Sequence, residues 1–222
     1  MTTRPLHHRE NRQHPRPAPL TRAAFVSAPL CILAYGAIRL GDPGHGPGPA
    51  WTVGHIALLA GVLQFALVFP ALRRMTGPAT AAGRASAGAG ALLGLAGTLA
   101  VVAQAAIDLV VGLSAADRPE MNRLFDEVQS HPGMLPAVYT VGPMLFYVGL
   151  VWLLVQLAVR RRVGAWRPAL VVLGTAVMAA SLDLMPLGAL LFTVALFPRD
   201  LPLFRPVTAP HLPDRPADHP LG

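Results

Sequence analysis

Apolar residues gather into five long runs separated by short polar breaks, at about residues 23–40, 51–72, 89–113, 135–159 and 168–198. An α-helix rises about 1.5 Å per residue, so a run of about twenty residues can cross a hydrocarbon core ~30 Å thick. The predicted fold class is therefore all-α: a multi-pass transmembrane helix bundle with five spans. The first run also has the short length and upstream charge of a secretory signal. Its long charged leader, and the lack of a clean small-x-small site before the next run, favour a retained span kinked at Pro29.

Proline and glycine punctuate the pattern. Residues 41–49 carry four Gly and three Pro and can form only a tight loop. Gly142 and Pro143 place a kink in the first third of the fourth span. The last run is about thirty residues long with Pro186 in its middle, so a break is expected near residues 183–186. Two complete spans fit poorly into that length. It is read as one span, kinked or broken at Pro186, with a re-entrant turn there as the alternative that brings the C-terminus back to the starting side.

Outside the spans, residues 1–22 (five Arg, three His, four Pro) and the Pro-rich residues 199–222 read as disordered tails. Residues 76–88 read as a small-residue linker. The segment between spans three and four is different in kind. Asp117 can cap a helix with Pro119 in its first turn, and Met121, Leu124, Phe125 and Val128 share one face. This predicts a short amphipathic helix over 117–130, lying apolar face down on the bundle or the membrane interface. In span three, Gly90, Gly94 and Thr98 recur every four residues, a stripe that lets another helix approach closely. Packing within the chain is the favoured use, and a homo-oligomer through span three is the other.

Composition agrees with the pattern. Hydrophobic residues make up 53% of the 222-residue chain and charged residues 13%, with a mean hydropathy of +0.49, whereas soluble domains carry about 25% charged residues. The net charge of +7 does not imply nucleic acid. All eighteen basic residues are Arg, and twelve of them lie in the N-terminal tail and in the breaks after spans two and four. That asymmetry is how membrane proteins fix orientation, and it places the N-terminus in the cytoplasm. The absence of Lys and abundance of Ala, Gly, Pro and Arg suggest a GC-rich bacterial genome, so the expected location is the bacterial plasma membrane. Cys31, the single cysteine, excludes an intramolecular disulfide.

Polar residues inside the runs are the candidate chemistry. Arg39, His55, Asp108 and Asp183 all fall in the outer halves of their spans, with His131 in the loop above. A charge in hydrocarbon costs at least ~2.5 kcal/mol, so Asp108 and Asp183 should face the bundle interior and find partners. The expectation is an outward-facing polar cluster of Arg39, His55, Asp108, His131 and Asp183, roofed by the amphipathic helix. The alternative is internal glue that fixes helix register. Tyr35 and Tyr139 suit an aromatic belt, and Gln64 and Gln156 suit interhelical hydrogen bonds.

No motif for nucleophilic catalysis, phosphate binding, dinucleotide binding or paired haem ligands is present, so no cofactor, metal site or catalytic residue is assigned. The expected partners are the lipid bilayer and, on the outer side, a small molecule, a lipid or another protein. The reading is a non-enzymatic membrane protein with a binding cluster. A small proton-coupled transporter using His55, Asp108 and Asp183 is the alternative, and a metal-dependent membrane enzyme a weaker one.

Overall fold

The computed structural model describes residues 19–77, 80–198 and 201, all of them helix or connecting turn. The helices are α1 (Pro19–Leu40), α2 (Pro49–Met75), α3 (Ala81–Ser114), α4 (Arg118–Ser130), α5 (Val141–Val159), α6 (Trp166–Ala180) and α7 (Met185–Leu196). A π-helical turn, Leu135–Thr140, runs directly into α5, and a 3₁₀ turn, Leu182–Leu184, joins α6 to α7. Four of these stretches are long and apolar enough to cross a membrane: α1, α2, α3 and Leu135–Val159.

Around the bundle α1 packs on α2, α2 on α3, α3 on α5, α5 on α6, α6 on α7, and α7 back on α1. The result is a closed ring of six apolar helices, with the amphipathic α4 outside it. One end of the ring is arginine-rich: Arg160 and Arg162 in the α5–α6 turn donate to the carbonyls of Thr76 and Met75 in the α2–α3 turn, each at 3.0 Å. Large apolar side chains cover the outside, with Leu92, Leu99 and Leu113 each about 70% exposed. Such a surface suits a lipid bilayer and would be a liability in water.

The fifth run departs from a single kinked crossing. Its break falls where expected, at residues 181–184, but the chain then turns back, so that α6 and α7 form an antiparallel hairpin. Pro186 sits in the first turn of α7, where its missing N–H costs nothing. Gly174 and Gly188 face each other across the hairpin with no room for a Cβ against the opposing backbone oxygen. Arg167, 1% exposed, donates to the carbonyls of Ala195 at 2.6 Å and Phe197 at 3.1 Å. Both ends of the hairpin therefore lie at the arginine-rich end. The run is two short antiparallel helices in place of one kinked helix, the shape that the re-entrant alternative describes.

Three boundaries also move. α1 begins at Pro19, so residues 19–22 of the expected tail are helical, while residues 1–18 and, except for Leu201, 199–222 lie outside the described residues. Much of the expected 76–88 linker is helix, because Thr80 caps α3 by accepting from the Gly83 N–H and the Ala-rich sequence beyond it is strongly helix-forming. The kink expected at Gly142 and Pro143 is a π-helical turn one step earlier, in which the Val141 N–H reaches back to the Pro136 carbonyl. α4 matches its prediction: Asp117 accepts from the Glu120 N–H at 2.9 Å, and Glu120 accepts in return from Ala116.

The glycine stripe on α3 is used within the chain. Gly90 lies against Trp152 and Leu153, Gly94 against Phe69 and Gly149, and Thr98 is buried with its hydroxyl on the Gly94 carbonyl. At Gly97 a Cβ would meet the Phe146 backbone nitrogen at 2.0 Å, so the backbones of α3 and α5 touch there. We expect Gly97→Ala to force these helices apart and lower stability by about 1–3 kcal/mol. Gly88→Ala, where a Cβ meets nothing within 4 Å, should leave it equal or raised. Thermal melts of both variants in nanodiscs, followed by circular dichroism, check the contrast.

Candidate functional site

At the end of the ring opposite the arginine-rich turns, the helices enclose a cavity of about 340 Å³. Three of them bring polar side chains to it in pairs one helical turn apart: Tyr35 and Arg39 from α1, Trp51 and His55 from α2, Gln104 and Asp108 from α3. Spacing of four puts each pair on one helix face. Tyr139, from the π-helical turn, closes the polar rim. Deeper walls are apolar, including Leu58, Val62, Phe146, Met178 and Phe192.

His55 and Asp108 form the centre of the rim. His55 is 2% and Asp108 7% exposed, and His55 Nε2 lies 3.6 Å from Asp108 Oδ2, a distance for an ion pair rather than a hydrogen bond. His55 Nδ1 is 2.8 Å from the Trp51 carbonyl, which can only accept, so Nδ1 carries the hydrogen. Nε2 faces the carboxylate across that gap, and both side chains are nearly closed to water.

Aromatic rings lock the imidazole in place. Trp51 stacks on it with ring centres 4.1 Å apart, and Tyr35 meets it edge-on at 5.1 Å. The Trp51 indole N–H donates to the Asp108 carbonyl at 2.8 Å, tying α2 to α3, and Gly112 leaves room for the indole. The Tyr139 hydroxyl donates to Asp108 Oδ1 at 3.4 Å. Above Trp51, Phe125 of α4 approaches to 6.1 Å, and Arg118 donates to the Gly44 carbonyl. α4 is thus pinned over the α1–α2 loop.

Arg39 lies beside this group and pairs with Asp183 of the hairpin tip at 3.7 Å. Arg39 makes this contact through its buried Nε, too far from the carboxylate for a hydrogen bond, and the Asp183 side chain is 59% exposed, so water weakens the pair.

Of the expected cluster, Arg39, His55 and Asp108 line the cavity. Asp183 touches it only through Arg39. His131 is exposed at the C-terminal end of α4, with Nδ1 3.0 Å from the Glu127 carbonyl, and does not line the cavity; the short cap that ends α4 holds it back. Among the described residues, no three potential metal ligands come together. Gln64 joins α2 to Ser27 of α1, and Gln156 joins α5 to Ser86 of α3 at 2.7 Å, as interhelical hydrogen bonds. Tyr35, Trp51, Gln104 and Tyr139 also line the cavity, outside the five-residue cluster that the sequence suggested. The recurring spacing of four in 35/39, 51/55 and 104/108 was the available signal.

Compared with protein-family models, curated proteins and solved structures, the chain matches none.

Since His55 and Asp108 face each other with almost no access to water, Asp108→Asn or His55→Gln alone should cost about 3 kcal/mol or more. The double variant should recover part of that loss, with a coupling of about 0.5–3 kcal/mol. Asp183→Asn should cost under about 1 kcal/mol, since its pair is water-exposed. Denaturant unfolding of the four variants and wild type in one detergent gives all the terms.

Proposed function

We propose that this integral membrane protein is a binding protein for a small amphiphilic molecule, held in the ring cavity at the outer face of the plasma membrane. The observation that carries this reading is the cavity's division into a polar rim and an apolar floor. A pocket of a few hundred Å³ with a few convergent polar groups on apolar walls is the usual form of a small-molecule site. The His55–Asp108 pair and the tyrosine hydroxyls offer donors and acceptors that fix orientation. The apolar floor supplies affinity.

A proton-coupled carrier would use the same pair. Among the described residues, however, Phe65, Phe69, Leu72, Leu150 and Leu153 fill the core between the cavity and the arginine-rich end. A layer of that kind offers a moving proton no polar partner, so binding without transport is the reading we hold.

Orientation follows from arginine. The hairpin returns the chain to the arginine-rich end, so N-terminus, both arginine-bearing turns and the C-terminal tail all belong on the cytoplasmic side. The three Arg of that tail then sit on the expected side, which a single fifth crossing would not allow.

Two measurements test these readings. In a Cys31→Ser background, Gly46→Cys should react with an impermeant maleimide in intact cells, and Gly164→Cys only after permeabilisation; the reverse pattern would invert the topology. In a thermal screen of nanodisc-embedded protein against small amphiphiles, a ligand at about 100 times its Kd should add roughly 2.7 kcal/mol. Val101→Phe, which fills the cavity, should fold normally and lose that gain. Equal responses from wild type and Val101→Phe would end the binding reading.

A further inference from the structure

Three glutamines lie within the long apolar helices: Gln64, Gln104 and Gln156. Gln64 and Gln156 are tied across helices to Ser27 and Ser86, the usual place of a carboxamide in hydrocarbon. Gln104 is not tied in this way. It lines the cavity one helical turn, about 6 Å, deeper than Asp108, and among the described residues its amide has no hydrogen-bond partner.

Most other polar side chains of the cavity are engaged. Trp51 donates to the Asp108 carbonyl, Tyr139 to the Asp108 carboxylate and Thr175 to the Val171 carbonyl, while His55 Nδ1 meets the Trp51 carbonyl. Arg39 faces Asp183 and bonds Tyr35. The Tyr147 hydroxyl shares the condition of Gln104. Its ring lies edge-on to Phe146 and Phe192, and its oxygen has no polar partner among the described residues. A polar group kept from water without a partner costs stability, so two of them on one apolar cavity suit something that enters it.

We infer that the ligand is a neutral two-ring carbonyl compound, of the quinone or aromatic-ketone kind, whose oxygen accepts from Gln104, with Tyr147 as the second donor. This rests on the binding reading above and adds the ligand's class. A carboxamide and a phenol each offer a donor and bring no charge at neutral pH, so they suit a neutral acceptor. A carbonyl oxygen, with two lone pairs, can take one bond from each. The walls around them fit a flat ring. Phe146 and Phe192 present aromatic surface, and Met144, Met178 and Met185 present thioethers that adapt to a ring edge. Size sets the number of rings: a dry apolar cavity of about 150 Å³ takes one benzene. This one, at about 340 Å³, has room for two fused rings.

The test uses 2,3-dimethyl-1,4-naphthoquinone and its hydrocarbon counterpart 2,3-dimethylnaphthalene, with the full chain in nanodiscs and affinities corrected for partition into empty nanodiscs. The quinone should bind at least about tenfold more tightly, the effect of two neutral hydrogen bonds. Gln104→Leu should weaken the quinone about three- to tenfold, the loss of one such bond, and leave the hydrocarbon within about twofold. Tyr147→Phe should do the same. Without ligand, Gln104→Leu should melt at an equal or higher temperature, because the amide that it removes has no partner to lose. The carbonyl stretch of the quinone, read by isotope-edited infrared difference spectra, should fall on binding to wild type and return towards its free value in Gln104→Leu.

If quinone and hydrocarbon bind alike and neither Gln104→Leu nor Tyr147→Phe separates them, the carbonyl class is wrong, while loss of both ligands in Val101→Phe keeps the cavity reading. If Gln104→Leu and Tyr147→Phe both melt early without ligand, these groups hold the fold together and the inference falls. If neither ring compound stabilises wild type, the two-ring class is wrong and the amphiphile screen decides the binding reading by itself. If Val101→Phe binds both compounds as wild type does, the binding reading fails with it.

Discussion

A guanidinium buried at the start of α6 holds the ring closed. Arg167 reaches the last carbonyls of α7, where helix geometry leaves oxygen atoms without intrahelical partners and the helix dipole is negative, and its charge is further set against the Trp166 ring 4.8 Å away. An arginine in apolar surroundings is tolerated only when its donors are matched, and here the acceptors come from thirty residues further along the chain. Satisfying that charge requires α7 to return to the level at which α6 began. The return lays α7 along α1, where Gly36 is small enough to receive Pro186. Without the return there is a gap between α6 and α1, and the cavity has no wall on that side.

The spans were legible in the sequence because their signal is additive: each run holds many apolar residues, and a boundary error of a few positions leaves the run intact. The hairpin was harder, because thirty apolar residues with a central proline serve equally for one bent helix or two short ones. What decides is Arg167, which the sequence shows only as one of several arginines beside an apolar run. Nothing local distinguishes an arginine that snorkels to the interface from one whose acceptors lie across a turn. The start of α3 was misjudged for a different reason. Gly and Ser suggested a linker, whereas the Thr80 cap and the intervening alanines suffice to carry the helix on.

The site was legible in part for a related reason. Charges in apolar runs are rare and costly, so Arg39, His55 and Asp108 could be picked out one at a time. Their partners are aromatic and could not: tryptophan and tyrosine near span ends are expected in any membrane protein. Yet Trp51 fixes the imidazole by stacking on it, and its indole fixes Asp108 through the backbone. His131 failed for the converse reason. Its type fitted the cluster, but sequence proximity to a cap decided its place.

The arrangement also explains why a charged pair can sit so near the lipid without dismantling the fold. A lone carboxylate at Asp108 would demand solvation that the ring cannot give, and a lone imidazolium at His55 likewise. Each faces the other instead, and the Trp51 carbonyl and Tyr139 hydroxyl take up further hydrogen-bonding capacity at the rim. Arg39 is handled differently. Its balancing charge was placed on the hairpin tip, at the water's edge, where the attraction is weak enough to yield. The buried pair sits inside the rim and the looser Arg39–Asp183 pair at the water's edge, so the two charged contacts of the rim differ in how far water screens them.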